Sequence, residues 1–178
     1  MKKNAPLIAL ALLAASAAQA HVTLEEPQAL AGAGYKAVLR VGHGCESTAT
    51  HTVIVRIPAG FRGAKPMPKA GWVLNIERAP LAEPYDSHGR KVTDDVVQIT
   101  WKATGRESFL ADAYYDEFVL RGQAPAKAGP LWFQVRQLCE KGEWNWADIP
   151  ASGTSTKGLK APAVLLDVVP DHTEHAAH

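Results

Sequence analysis

The sequence predicts a single all-β domain of the β-sandwich class, either immunoglobulin-like or cupredoxin-like. Short runs rich in Val, Ile, Leu and aromatic residues recur along the chain, and Gly and Pro cluster between them. Apolar and polar residues alternate in several runs, and no long stretch has helical periodicity. Short strands at such spacing are typical of sandwiches, but they do not distinguish the two topologies.

Seven strands are predicted, each bounded by turn residues. The two faces are clearest in the fifth strand, where Phe118 and Leu120 lie on the same side. One carboxylate of the Asp116-Glu117 pair must point inward, so we expect it to bond Arg121 or a turn amide. In chain order the predicted strands are Lys36–Val41, Thr52–Ile57, Trp72–Glu77, Val96–Lys102, Tyr114–Arg121, Leu131–Leu138 and Ala163–Val169.

The first 20 residues have the features of a secretory signal peptide. Lys2 and Lys3 precede an apolar run over Leu7–Ala15, and residues 18–20 form a small-x-small cleavage site. The apolar run is too short to be a permanent membrane-spanning helix. We therefore expect cleavage after Ala20 and a periplasmic or secreted protein with no membrane anchor.

Cleavage leaves a length that suits one domain, residues 21–169, followed by a polar tail, residues 170–178. The chain has 19 basic and 18 acidic residues, and the leader contains Lys2 and Lys3, so the mature charge is about −1. No basic stripe is visible, so nucleic acid is not an expected partner. The tail carries His172, His175 and His178, and we expect it to be flexible and at most a weak metal binder.

The chain has two cysteines, Cys45 and Cys139. In an oxidising compartment an isolated pair predicts a disulfide. Closing a loop of roughly a hundred residues stabilises the fold by about 4–5 kcal/mol in the chain-entropy account. The alternative is that one of the two thiolates binds a metal.

Cleavage after Ala20 would make His21 the first residue of the mature chain and so a candidate metal ligand. Its α-amine and Nδ1 can close one chelate ring on a metal. His43, in the Gly-flanked loop after the first predicted strand, can add a third nitrogen, and Glu46 or water an oxygen. Three nitrogens in a T arrangement favour Cu(II).

Simpler interpretations of the same residues stay open. A histidine can follow a cleavage site by chance, His43 can be an exposed loop histidine, and Glu46 can be a solvated carboxylate. Other metal sites fit less well. A blue-copper site would require His and Met soon after its cysteine, and residues 140–150, which follow Cys139, contain neither.

Two tryptophans follow Cys139 closely in the chain. In an extended segment Trp144 and Trp146 share one face. A disulfide between Cys45 and Cys139 would bring them near His43, and we expect Trp146 to lie close to the metal. Ordinary packing or an aromatic pair in a hairpin is the alternative.

Several segments together resemble the YcnI-like domain family over residues 21–150. They are His21-Val22-Thr23-Leu24, Pro66-Met67-Pro68-Lys69-Ala70-Gly71-Trp72, Tyr115-Asp116-Glu117-Phe118 with Arg121-Gly122, and Cys139 followed by Gly142 and Trp146. The resemblance implies an exported β-sandwich that binds Cu(II) through the N-terminal histidine, with an auxiliary ligand from the loop after the first core strand and a nearby tryptophan. In the single-histidine version of the family a glutamate occupies that loop. Here His43 is available and Glu46 lies further on, so one- and two-histidine sites both remain open.

Three functions compete at this point. The first is a non-enzymatic periplasmic protein that holds Cu(II) in a histidine brace, with a copper transporter or chaperone as its partner. The second is a copper monooxygenase that uses the same brace. The third is a metal-free adhesion or assembly module. We expect the first, a protein of copper acquisition, trafficking or homeostasis.

Overall fold

A computed structural model of the chain describes residues 21–171. They form β-strands and one short 3₁₀ helix, Arg106–Ser108. The predicted leader, residues 1–20, and the tail histidines His172, His175 and His178 lie outside the described residues. The strands are β1 (Thr23–Leu24), β2 (Gln28–Leu30), β3 (Gly34–Val41), β4 (Thr50–Arg56), β5 (Arg62–Pro66), β6 (Trp72–Ser87), β7 (Arg90–Ala103), β8 (Asp116–Gln123), β9 (Gly129–Cys139), β10 (Glu143–Trp146) and β11 (Val164–Val169).

Two sheets pack face to face, which confirms the predicted sandwich. One sheet has the strand order β1-β3-β8-β5, and the other has the order β2-β11-β9-β4-β7-β6 with β10 paired to β9. The inward side chains of both sheets fill the space between them, as expected when one face of each sheet is buried. The most deeply buried residues of this hydrophobic core include Leu39, Val55, Ile99, Phe118 and Phe133.

All seven predicted strands are present, because their alternation comes from the one-sided burial that the fold imposes. Phe118 and Leu120 lie on the same face of β8, as predicted, and the structure places that face in the core. The prediction that the inward carboxylate bonds Arg121 or a turn amide was wrong. Instead, the carboxylate of Asp116 pairs with Lys69 Nζ at 2.6 Å and accepts the backbone N–H of Glu117 at 2.8 Å.

Four strands were not predicted: β1, β2, β5 and β10. Each has at most five residues, too few for a periodic pattern. The β6–β7 hairpin is also longer than predicted. Pro80 and Pro84 interrupt the strand pattern in the sequence, but the pairing of the two strands continues past them, with a shift of register between Pro80 and Tyr85. His88 and Gly89 form its two-residue turn, with φ of 48° and 74°, as a type I′ hairpin turn requires.

Cys45 and Cys139 form a disulfide across 94 residues. This confirms the predicted pairing and removes the alternative of a thiolate ligand. The bond joins the loop after β3 to the end of β9. We call this part of the sandwich the histidine end, because His43 lies in that loop.

Within residues 21–171 no helix is long and apolar enough to span a bilayer.

Candidate metal centre

β1 holds His21 beside the loop that contains His43. The side chains of Val22 and Leu24 are buried in the core and anchor the strand. Thr23 pairs with Arg40 of β3 in an antiparallel register. Extending that register by two residues places His21 opposite Gly42, at the histidine end.

The loop after β3 is held by contacts that require a glycine at position 44. A Cβ on Gly44 would lie 1.7 Å from the carbonyl oxygen of Thr48, so no other residue fits there. The N–H of Gly44 donates to Asp112 Oδ1 at 2.9 Å. By contrast, a Cβ on Gly42 would meet no heavy atom within 4 Å. Only one of the two glycines beside His43 is therefore needed for close approach.

The imidazole of His43 is half-buried and has a defined orientation. Its Nδ1 lies 2.5 Å from the carbonyl oxygen of Gly44. A carbonyl oxygen only accepts, so Nδ1 carries the hydrogen, and in the neutral ring the lone pair is on Nε2. A backbone carbonyl at one ring nitrogen is the usual arrangement for a histidine that binds metal through the other.

Trp146 is the common neighbour of His21 and His43. The indole centroid lies 5.6 Å from the His21 ring and 6.2 Å from the His43 ring, and both contacts are edge-on. Trp144 stacks on Trp146 at 4.9 Å and meets the His43 ring at 6.5 Å. The structure therefore brings His21, His43, Trp144 and Trp146 into one cluster at the histidine end.

The buried side chain of Gln137 supports this cluster, and it was not predicted from the sequence. Its side-chain N–H groups donate to the carbonyl oxygen of His43 at 2.6 Å and to Thr50 Oγ1 at 2.7 Å. Its Oε1 accepts the indole N–H of Trp146 at 3.2 Å. Because a carbonyl cannot donate and an indole N–H cannot accept, the amide has only one possible orientation.

A signal for Gln137 was present in the sequence. The predicted strand Leu131–Leu138 alternates, and Gln137 falls on the same face as Phe133 and Val135. An amide on a core face must find buried partners. The sequence does not show which groups those partners are, because they come from β4, β10 and the loop after β3.

Glu46 lies at the tip of a tight turn between Cys45 and Thr48, with φ of 48°. Its side chain is exposed, and its carboxylate is placed against Gly142, where a Cβ would be 3.4 Å from Oε1. Gly142 lies in the turn between β9 and β10. A role for Glu46 as a ligand stays a prediction.

The other described histidines, His51 and His88, lie outside this cluster. His51 contacts Thr52 Oγ1 through Nδ1 at 2.8 Å and the carbonyl oxygen of Cys139 through Nε2 at 3.1 Å. His88 forms the β6–β7 turn. In residues 21–171 no three His, Cys, Asp or Glu side chains are grouped so as to hold a metal. A brace differs from such a group, because a backbone amine supplies one of its nitrogens.

A different buried polar cluster organises the opposite end of the sandwich. Asp95 is 5% exposed, and its carboxylate accepts from Gly63 N–H, Tyr85 Oη–H and Val96 N–H at 2.7–2.8 Å. Burial acts to raise the pKa of Asp95, but these three hydrogen bonds, with the charge of Arg78, outweigh it and lower the pKa. Burial and the bond to Asp95 raise the pKa of Tyr85 to about 12.

Comparison with known proteins identifies the fold and a family. Residues 21–168 match the model of a family described as a domain of unknown function, DUF1775. A crystal structure of an uncharacterized protein from Nocardia farcinica, described as having an immunoglobulin-like fold, superimposes with a TM-score of 0.63 at 22% identity. The match covers 83% of this chain and 97% of the other. No curated protein matches the chain in sequence.

Proposed function

The chain belongs to the DUF1775 family, the YcnI-like family, and we propose that it binds Cu(II) as cargo after export and passes the ion on. The observation that carries this proposal is that His21 and His43 both contact the same indole, that of Trp146. Cleavage after Ala20, which makes His21 the leading residue, is part of the proposal.

The proposed donors are three nitrogens. The α-amine and Nδ1 of a leading His21 form a chelate ring, and Nε2 of His43 is the third nitrogen. Imidazole and amine ligands in a planar arrangement suit Cu(II) better than Zn(II), which prefers a tetrahedral site. A water molecule or Glu46 completes the plane. The α-amine must lose its proton to bind, so affinity rises with pH through the range of its pKa, about 7.7–8.0 in model peptides.

The surroundings of His43 support a preorganised ligand. The loop is joined to β9 by the Cys45–Cys139 disulfide, and Gln137 and Asp112 bond its backbone. The hydrogen bond from Nδ1 to the Gly44 carbonyl fixes the ring, and this supports Nε2 as the proposed metal-binding nitrogen. Ligands that are already oriented lose less conformational entropy on binding.

The second part of the proposal is that the protein is exported and that it catalyses no reaction. The protein would reside in the periplasm or outside the cell, and its partner would be a copper transporter, chaperone or cuproenzyme. The competing function is oxidative catalysis with the same ligands. If the copper-loaded protein cleaved a polysaccharide in the presence of a reductant and peroxide, the protein would be an enzyme instead.

The experiment uses protein that has been exported and processed, with its first residue identified by mass spectrometry. One equivalent of Cu(II) should give a tetragonal EPR spectrum with nitrogen hyperfine structure. Acetylating the α-amine of His21 removes that nitrogen from the chelate. We expect acetylation to weaken Cu(II) binding in a competition titration by at least about tenfold, or 1.4 kcal/mol.

His43→Ala tests the third nitrogen and should change the EPR spectrum as well as weaken binding. The matched control is His88→Asn, because position 88 is exposed, far from the candidate site, and has a positive φ that asparagine tolerates. The control should leave the spectrum unchanged. A first residue other than His21, or an acetylated His21 that binds Cu(II) as tightly as the free amine, would contradict the proposal.

A further inference from the structure

Three cations lie directly opposite one another on the outer face of the four-stranded sheet. Arg121 of β8 pairs in register with Lys36 of β3 on one side and with Lys65 of β5 on the other. Each is exposed and lies next to a buried residue of its own strand, so all three point away from the core. Because adjacent strands are about 4.8 Å apart, the row spans roughly 10 Å. We call it the cationic row.

A second row on the same face has charges of alternating sign. Four residues further along the strands, Arg40 of β3 faces Glu117 of β8 and also bonds Glu25 at 3.0 Å. Close by, Lys69 pairs with Asp116. Cross-strand pairs of opposite charge stabilise a sheet, whereas like charges directly opposite destabilise it. The sheet therefore has compensated charges in one row and uncompensated charges in the other.

Nothing in the described part of the chain compensates the cationic row. Over residues 21–171, Lys36, Lys65 and Arg121 form no ion pair. The excess of positive charge is local, because basic and acidic residues are almost equal in number over the whole chain, at 19 and 18. A local arrangement that costs stability without an internal partner is typical of a binding surface.

An apolar groove adjoins the row. It has a volume of about 310 Å³, and Pro66, Met67, Pro68 and Val119 line it together with the three cations. Met67 is 54% exposed. A ligand of this groove must present apolar atoms beside its negative charges. Inorganic phosphate and sulfate lack such atoms.

We propose that the cationic row and its groove bind an acidic, extended segment of a partner protein. Two or three carboxylates of the segment face Lys36, Arg121 and Lys65, and one aliphatic or aromatic side chain enters the groove beside Met67. A segment fits better than a membrane surface, because the apolar residues line a concavity rather than a protruding edge. The site is separate from the candidate metal centre, and the proposal does not depend on copper.

The test measures binding of a fluorescein-labelled synthetic peptide of alternating glutamate and leucine to the processed protein, by fluorescence anisotropy. The triple variant K36Q/K65Q/R121Q should weaken binding by about tenfold. The matched control, K102Q/K127Q/K157Q, removes the same charge from exposed lysines outside the row and should change affinity less than about twofold. Met67→Ser should also weaken binding, because the groove loses its apolar contact.

Several outcomes would overturn the proposal. One is an equal loss in both triple variants, since attraction would then be non-specific. Another is undiminished binding of a peptide with glutamine in place of glutamate. A third is binding to phosphatidylglycerol vesicles, lost in the K36Q/K65Q/R121Q variant, without binding to the peptide, because the occupant would then be a membrane.

A stability measurement tests the row without any ligand. Removing the central charge by Arg121→Gln relieves repulsion from both neighbours, so the melting temperature should rise by about 1–3 °C at low salt. The rise should shrink in 0.5 M NaCl, because salt screens exposed charges. The corresponding change in the compensated row, Arg40→Gln, should lower the melting temperature. A fall for Arg121→Gln as well would show that the row is not strained and would overturn this part of the proposal.

Discussion

Gln137 and Asp95 are buried polar side chains at opposite ends of the sandwich, and each makes three hydrogen bonds. Gln137 joins the His43 carbonyl, Thr50 and the indole of Trp146 at the histidine end. Asp95 joins Gly63, Tyr85 and Val96 at the other end. The number of bonds is the same, but the partners differ in kind.

The difference follows from the chemistry of the two side chains. An amide donates and accepts, so Gln137 can connect a carbonyl oxygen to an indole N–H. A carboxylate only accepts, so the groups around Asp95 are all donors, and their bonds hold it ionised. The amide cluster does not titrate, whereas the stability supplied by the carboxylate cluster depends on pH. The contribution of Gln137 to holding the candidate ligand loop therefore does not depend on pH.

The largest effect is expected for Gln137→Met, which keeps the side-chain volume and removes all three bonds. The His43 carbonyl, the Thr50 hydroxyl and the Trp146 N–H lose a buried partner, so the free energy of unfolding should fall by about 3 kcal/mol in urea denaturation. The Cu(II) spectrum should also change, because His43 and Trp146 are no longer held together.

A control of similar cost distinguishes positioning from mere loss of stability. Leu166→Ala removes apolar volume from β11 in the core and should cost about 2–5 kcal/mol. Leu166 takes no part in the hydrogen bonds of Gln137, so this substitution should leave the Cu(II) spectrum unchanged. If both variants change the spectrum alike, Gln137 has no special part in the site.

A somewhat smaller effect is expected for Asp95→Asn, about 2 kcal/mol at pH 7, because hydrogen bonds to a charged acceptor are lost. The pKa of Asp95 is lowered in the folded state, so its stabilisation is fully present above the unfolded pKa of about 4 and is lost as pH falls through the folded pKa. The gap between wild type and variant should narrow below about pH 4.

Urea denaturation at pH 7, 5 and 3 measures this gap. The destabilisation by Gln137→Met should stay constant over the same range, because no proton is exchanged at an amide. If the destabilisation by Asp95→Asn also stayed constant with pH, the Gln137 and Asp95 clusters would not differ in their pH dependence.

The smallest effects are expected for the two tryptophans. Trp146→Phe leaves Gln137 Oε1 without its donor and should cost about 1–2 kcal/mol. The indole nitrogen of Trp144 is buried with no hydrogen-bond partner among the described residues. Trp144→Phe removes that unsatisfied N–H, so the cost should be less than about 1 kcal/mol. Thermal unfolding of both variants tests the order, and a larger loss for Trp144→Phe would reverse it.

Much of the fold could be predicted because burial on one face leaves an alternating pattern in the strand itself. The predicted strands that became β3, β4, β9 and β11 show this pattern clearly. β1 and β10 do not, since two or four residues carry too little periodicity. Yet these two short strands bring His21 and Trp146 to the histidine end. The elements that matter most to the candidate site were therefore the least predictable ones.

The sequence by itself determined features that depend on short stretches of chain: the strand alternation, the cysteine pair and the glycines around His43. The prediction of cleavage before His21 is of the same local kind. Only the tertiary structure decided that His21 and His43 meet the same indole, that Gln137 bonds both His43 and Trp146, and that Lys36, Arg121 and Lys65 form a row. The reason is that strand register is set by packing summed over the whole core. A shift of one residue in any pairing would separate these groups without changing a single local pattern.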